Sequence, residues 1–239
     1  MKKYIYAALV MIAPVLFASC DDDDTVIVTS PAATGIVTDD EGNEYGWIRI
    51  GNLDWTTSNA LNGSPLADKK YYDGYSWSYV VDEDDIDYIE QEYVPMYGNL
   101  MSYEEALESA PDGWRLPTDE DWKSLERALG MGDADNKGWR GSNGVGTRLM
   151  DFSSALGFNA MLPGGAIYRK ENGLNRMQLL IQNTLEYGYF WTATAEPAYE
   201  DVSMAYYRKL VHGQPGVERQ CGNTINLMSV RWCRNATND

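Results

Sequence analysis

Histidine occurs once in this chain, at His212, and cysteine three times, at Cys20, Cys221 and Cys233. A centre built from several histidines is therefore excluded, and a Cys–His pair has no spacing to support it. No C-x-x-C or similarly close pair marks a soft-metal site, and His212 reads as a structural or exposed residue. Basic residues are also scarce: 19 Lys and Arg stand against 36 Asp and Glu, a formal net charge of −17. Nucleic-acid binding rests on Lys and Arg at phosphates, so that partner is excluded. Adhesion to an anionic lipid surface through basic residues is excluded with it. No phosphate-loop pattern occurs. Asp133-Ala-Asp135-Asn-Lys137-Gly138 starts like a calcium loop, but Lys137 replaces an oxygen ligand and Gly144 stands where the closing Glu belongs. The run Asp82–Asp87 lacks the Gly and the closing Glu too, so both read as solvated acidic loops. No metal, cofactor or catalytic residue is called for.

Aromatic side chains are plentiful: 8 Trp and 17 Tyr bring the aromatic share to 12%. Such density suits packed, turn-rich β structure and surfaces that stack on flat ligand faces. The length of 239 residues fits one large domain, or one with insertions, behind a removable leader.

That leader is the clearest physical signal. Lys2 and Lys3 precede an apolar run from Tyr4 to Phe17, the size of a signal h-region and short for a membrane span. Ala18 and Ser19 are small, and Cys20 follows. The arrangement resembles the lipobox of bacterial lipoproteins, with Phe17 where Leu is commoner. On that likeness residues 1–19 are a signal peptide and Cys20 is the site of lipid attachment, which ties the protein to the membrane. Asp21–Asp24 directly after Cys20 resemble the surface-export signal of Bacteroidetes lipoproteins. Residues 20–33 then form an acidic tether, and the protein is expected on the outer membrane, lipid-anchored and surface-exposed.

The domain spans residues 34–235. Thr34–Thr38 and Glu44–Ile50 flank the turn formers Asp39–Asn43 and read as a hairpin. Residues 60–93 read as an insertion. Within it Tyr75, Trp77 and Tyr79 alternate, which puts them on one face of a strand. Tyr72, Tyr75, Trp77 and Tyr79 are the candidate ligand-binding residues, with aromatic faces for the apolar C–H surfaces of sugars and carboxylates nearby for the hydroxyls.

Two helices follow. Ser102 and Glu105 form a capping box, and Tyr103, Ala106, Leu107 and Ala110 share a face at helical spacing. Thr118 is an N-cap, with Asp119, Glu120 and Asp121 at the positive end of the helix dipole. Trp122, Leu125 and Leu129 form the buried stripe, and Gly130 the stop. Between the helices, Pro117 keeps Leu116 extended, so Trp114 and Leu116 point inward and pin the helix pair to a sheet. After residue 131, Gly, Asn and Asp imply long loops. Late strands are expected at 187–195, 203–212 and 225–234. The fold class is α+β.

These motifs, in this order, resemble the Fibrobacter succinogenes major paralogous domain family. Its D-x-x-G-N-x-Y is met from Asp40 to Tyr45, with Trp55 and Asn59 following, and its Y-G-x-L-x-x-[YW]-x-x-A from Tyr97 to Ala106. P-x-G-W-R-L-P-T-x-x-[ED]-W is met from Pro111 to Trp122. Gly157–Ala160 with Pro163–Gly165, Phe190–Thr194 and Ser229–Arg231 resemble the remaining blocks. The resemblance implies a C-type-lectin-like domain with paired N- and C-terminal strands, two helices and long loops, distantly similar to formylglycine-generating enzymes. The family often carries Cys where Ala110 and Trp232 stand here. In their absence, export favours a Cys221–Cys233 disulfide, with two free thiols as the alternative.

The expected function is a non-catalytic module that binds a glycan or a surface protein. The alternative is an accessory subunit of a surface adhesin or pilus assembly. An enzyme of the formylglycine-generating type ranks last, because it needs an adjacent reactive Cys pair. The anchor is testable directly: Cys20→Ala is expected to shift the protein from the membrane to the soluble fraction, and continued membrane retention would refute lipidation.

Overall fold

The structure, a computed structural model, describes residues 27–72, 76–171, 174–179, 184–199 and 202–237. The leader, Cys20, the acidic run after it and Tyr75 lie outside them.

The first turn is made by Asp39. Its Oδ1 accepts from the backbone N–H groups of Glu41 (3.0 Å) and Asn43 (2.8 Å), and its Oδ2 from the Tyr45 hydroxyl (2.6 Å). The hairpin expected there forms: β1 (Thr34–Thr38) pairs antiparallel with β2 (Glu44–Ile50). Gly51 and Asn52 turn β2 into β3 (Leu53–Thr56), which is buried along its whole length. The far side of β3 is taken by β12 (Cys233–Asn235), with Cys233 opposite Trp55. The sheet order is β1-β2-β3-β12. One sheet therefore holds both ends of the domain, as expected, but the first and last strands are not each other's partners. The last strand needs a buried central neighbour, and β3 supplies it with Asp54, whose carboxylate accepts from Arg49 (2.7 Å) and Arg234 (3.0 Å). β1 is the exposed edge, with Ile36 69% accessible.

The second sheet has the order β6-β11-β10-β9, from β6 (Gly138–Arg140), β9 (Tyr187–Tyr199), β10 (Val202–Val211) and β11 (Val217–Asn223). Two hairpins stand apart: β4 (Lys70–Tyr72) with β5 (Trp77–Tyr79), and β7 (Ala166–Glu171) with β8 (Leu174–Leu179). The late strand expected over 225–234 is mostly irregular. That segment runs through the core instead and makes single bridges to Met101, Ala166 and Phe190 through Met228, Leu227 and Ser229.

Helices are more numerous than the two expected. The insertion carries α1 (Ile86–Tyr88) and a π-helical turn over Ile89–Tyr93, and α2 (Val94–Tyr97) follows it directly. Gly98 ends α2 at φ 88°, and a Cβ there would lie 2.5 Å from Asn59 Cβ, so only glycine fits. α3 (Tyr103–Glu108) and α4 (Asp119–Ala128) start with complete capping boxes, at Ser102/Glu105 and Thr118/Asp121, each worth about 1 kcal/mol. In α3, Ala106 is buried but Leu107 is 45% exposed, because so short a helix presents one narrow stripe. α5 (Val145–Met150) lies against the β10–β11 turn, with the Gly146 N–H donating to the Pro215 carbonyl at 2.7 Å.

The segment from Gly113 to Pro117 joins these parts. Arg115 exchanges two backbone hydrogen bonds with Cys233, at 2.9 and 3.0 Å, and the Pro117 carbonyl accepts from Ala193 N–H at 2.7 Å. The loop between α3 and α4 thus rungs onto β12 on one side and β9 on the other. Trp114 and Leu116 point inward as expected, into a cluster with Trp191 and Trp232. Trp122 enters the main core, where its ring meets Trp55 edge-on at 5.2 Å and lies 5.9 Å from Phe190. Burying a ring of this size removes roughly 150–250 Å² from water, worth on the order of 5 kcal/mol.

The inner face of α4 also carries charge. Asp119 and Glu126 are two turns apart and face the second sheet. Glu126 accepts from Nη1 and Nη2 of Arg140 (2.8 and 2.9 Å) and from Nε of Arg208 (2.7 Å). Arg208 reaches on to Asp119 Oδ1 (2.7 Å), and Arg219 closes the series on Asp119 Oδ2 (2.6 Å). Arg140, Glu126 and Arg208 side chains are wholly buried. Burial by itself would raise the Asp119 carboxyl, but the hydrogen bonds and charges of Arg219 and Arg208 outweigh it and bring the pKa down to about 2. An unfolded Asp titrates near ~3.9, so this carboxylate stabilises the fold above that value and loses its contribution as pH falls through about 2. Asp119→Asn is expected to cost about 3–5 kcal/mol at neutral pH, because it strands buried cations. The gap from the parent in urea denaturation should close as pH falls from about 4 towards 2; an undiminished gap would contradict this assignment.

Candidate functional site: an aromatic and carboxylate cavity beside the insertion

The insertion is packed onto the domain. Leu66, Val80, Val81, Ile89 and Tyr93 form a small core of their own with Leu100, Ala166 and Leu227. The Tyr93 hydroxyl is buried and donates to the Pro163 carbonyl at 2.6 Å. Burial, with Tyr88 and Tyr97 nearby, raises its pKa well above the ordinary phenol value. This anchoring holds the β4–β5 hairpin over the start of α3.

In that hairpin Lys70 pairs with Tyr79, Tyr71 with Ser78, and Tyr72 with Trp77. Alternation puts Trp77 and Tyr79 on one face, as the sequence pattern implies, and both rings are exposed, at 69% and 55%. The two have different surroundings. Tyr79 carries the Lys70 ammonium 4.3 Å above its ring. Trp77 lines a cavity of about 550 Å³ together with Tyr71, Tyr168, Lys69, Glu104 and Glu105, and with Thr224, Ile225 and Leu227. Of the four aromatic residues singled out by sequence, Trp77 reaches this cavity and Tyr79 stands beside it. Tyr72 is placed opposite Trp77 in β4, and Tyr75 falls outside the described residues.

Polar groups give the cavity wall its geometry. Glu105 is the N3 residue of the α3 capping box, yet its carboxylate does more than cap. Its Oε1 accepts from the Ser64 amide (2.7 Å) and hydroxyl (2.6 Å), and its Oε2 accepts from Lys69 Nζ at 2.6 Å. Lys69 is buried and also donates to the Leu100 carbonyl at 2.6 Å. Burial pushes its ammonium below the ordinary lysine value, against the opposing pull of Glu105. Tyr168 is fixed by its own backbone, whose N–H donates to Asn226 Oδ1 at 2.7 Å. Sequence reasoning missed Tyr168 and Glu105 as wall residues. Tyr168 lies far along the chain, and the capping pattern of Glu105 hides its second role. The adjacent pair Lys69-Lys70 before Tyr71 was the readable signal, a cationic step in a strongly acidic chain.

His212 lines a second cavity, of about 540 Å³, with Met150, Phe152, Met161, Leu162 and Leu185. The cysteines correct an expectation. Cys221 and Cys233 are free thiols, Cys221 half-buried on β11 and Cys233 buried on β12, in different sheets. The disulfide does not form because Cys233 faces the main core beside Trp55 rather than the second sheet. Burial pushes both thiols above their ordinary pKa, further for Cys233. Among the described residues, no group of three or more His, Cys, Asp or Glu side chains is placed to hold a metal ion, and no helix is long and apolar enough to cross a membrane.

The family model described as the Fibrobacter succinogenes major domain matches residues 48–234. No curated protein and no solved structure matches the chain. The matched range begins within β2, ends within β12, and holds the second sheet, the helices α1 to α5, the insertion and the cavity.

The site separates exposed from structural groups, and stability measurements should show it. Trp77→Ala is expected to leave the unfolding free energy within about 0.5 kcal/mol of the parent. Glu105→Ala is expected to lower it by on the order of 3 kcal/mol, because it strands the buried Lys69 ammonium. Equal losses in the two variants would show that Trp77 is a packing residue.

Proposed function

From the premise that the chain belongs to the Fibrobacter succinogenes major domain family, we propose that it is a surface-exposed, lipid-anchored, non-catalytic binding module with a C-type-lectin-like fold that holds a glycan against Trp77. The observation that carries this reading is the position of Trp77. Its ring is 69% exposed at the wall of a cavity of about 550 Å³, within the size range of ligand sites. An indole face offers apolar area for the C–H face of a pyranose. Glu104, Ser102, Ser64 and Thr224 on the wall offer acceptors and hydroxyls for the sugar's own hydroxyls. The α+β arrangement, with one sheet binding both ends of the domain, supports the lectin-like assignment. The leader read at residues 1–24 supports the outer-membrane anchor.

A second reading, an accessory subunit of a surface adhesin or pilus assembly, draws on β1. It is a sheet edge with Ile36 69% exposed, and an open edge can add a strand from a partner. Exposure of Trp77 and Tyr79 favours the binding module, because packing residues would be covered.

A glycan array probed with the whole chain in detergent decides between them. The binding module predicts signals on a subset of glycans that fall at least about tenfold in Trp77→Ala, the loss expected when an interaction of roughly 1.4 kcal/mol is removed. No signal above background for the parent would remove the glycan reading.

A further inference from the structure

This inference rests on the glycan reading of the Trp77 cavity and names the class of sugar. Four charged side chains line the cavity: Lys69, Lys70, Glu104 and Glu105. Lys69 and Glu105 neutralise each other at 2.6 Å; Lys69 also donates to the Leu100 carbonyl, and Glu105 also accepts from Ser64 and Ser102. Lys70 sits with its ammonium 4.3 Å over the Tyr79 ring, which lies outside the cavity lining. Glu104 is different. It is exposed on the cavity wall, and among the described residues no hydrogen bond or ion pair engages its carboxylate.

Lys70 keeps its charge but directs it to the Tyr79 ring, so the charged group left unengaged at the wall is the Glu104 carboxylate, in a chain of formal net charge −17. An acidic sugar entering the cavity would meet like charge at Glu104 and, at longer range, over the whole surface. A ring bearing a protonated amine would form a charge-assisted hydrogen bond with Glu104, of the stronger kind. Its cation would also be attracted to the face of Trp77. We propose that the cavity takes an amino sugar with a free amine, its ring on Trp77 and its ammonium at Glu104, and that it discriminates against uronic, sialic and sulfated sugars.

Three probes test this by calorimetry on the whole chain: glucosamine oligomers, their N-acetylated counterparts, and uronate oligomers of the same length. The glucosamine oligomer is expected to bind at least about tenfold tighter than the acetylated one, a difference of roughly 1.4 kcal/mol. Its affinity should fall with added salt as surface charge is screened. Glu104→Gln should remove this preference, so that the glucosamine and acetylated oligomers bind with similar affinity. Trp77→Ala should weaken both.

Equal or tighter binding of acetylated or uronate oligomers would overturn the amine assignment and leave the glycan reading standing. So would binding of other array glycans with none of these three. Glucosamine binding that survives in Trp77→Ala would mean general attraction to an acidic surface and would also overturn it. A lysine-rich peptide that displaces the glucosamine oligomer at equal affinity would reassign the site to a basic protein partner. A blank array for the parent, in contrast, removes the glycan reading itself.

Discussion

Everything else in the structure depends on the buried row of alternating charge Arg140–Glu126–Arg208–Asp119–Arg219. Removing five charges from water carries a penalty of several kcal/mol for each ion. The row persists because each carboxylate lies between two guanidinium groups and each is met by bidentate or paired hydrogen bonds. The contribution to specificity matters more than the net energy. Leu125 and Trp122 would pack acceptably if α4 slid or rotated on the sheet, since apolar contacts are non-directional. Asp119 and Glu126 allow one position, the one in which Arg208 bridges both. That position delivers Trp122 to Trp55, Phe158 and Phe190, and so joins the helix to both sheets.

A second arginine arrangement closes the other end of the chain, by different chemistry. Arg231 is completely buried and is held by oxygens alone: Asn59 Oδ1 (2.7 Å) and the carbonyls of Thr56 (2.9 Å), Phe158 (2.8 Å) and Asn159 (2.6 Å), with Phe158 5.0 Å beneath its plane. Burial pulls its guanidinium down to about 9. Two separate stretches, Thr56 to Asn59 and Phe158 to Asn159, converge on this one side chain, which explains why the segment before it is drawn through the core instead of forming a full strand. The same segment supplies Thr224, Ile225 and Leu227 to the cavity wall. The site thus has a rigid back made by the closing stretch of the chain, and a front made by an insertion with a small core of its own.

Local features were legible in the sequence because their physics is local. The Asp39 turn, the Ser102/Glu105 capping box, the Thr118 N-cap, the Trp122–Leu125–Leu129 stripe and the inward Trp114 all follow from neighbours within one helical turn or one strand period. The charge row was not legible for the opposite reason. Asp119 reads as a dipole charge at a helix start, and its partners Arg208 and Arg219 lie 89 and 100 residues away. Nothing in a strand pattern marks an inward arginine until the facing helix is known. The family motifs pointed to an α+β domain without showing which pairs touch. The disulfide expectation failed because a preference for oxidised cysteines says nothing about sheet membership, and β11 and β12 lie in different sheets. In the cavity, Trp77 was found by alternation, whereas Tyr168 and Glu105 come from elements joined to the hairpin only by tertiary packing.

The tryptophans make the case for function by contrast. Trp55, Trp122, Trp191 and Trp232 are wholly buried and Trp114 nearly so, each in a core cluster. Trp139, 47% exposed, has Lys209 5.9 Å from its ring and covers part of the second sheet. Among the described residues, Trp77 and Ile36 are the most exposed large hydrophobic side chains, yet Trp77 stands on a hairpin whose base is firmly packed. A fold gains little from a ring left two-thirds in water, since the stabilisation scales with area removed from it. A binding site gains from the same ring, because a rigid aromatic in place costs little side-chain entropy when a ligand covers it. Around Trp77 the buried charges are already paired and the uncommitted carboxylate faces outward. Stability and recognition are thereby assigned to different atoms within a few residues of each other, with Glu105 holding the wall and Glu104 left to meet what arrives.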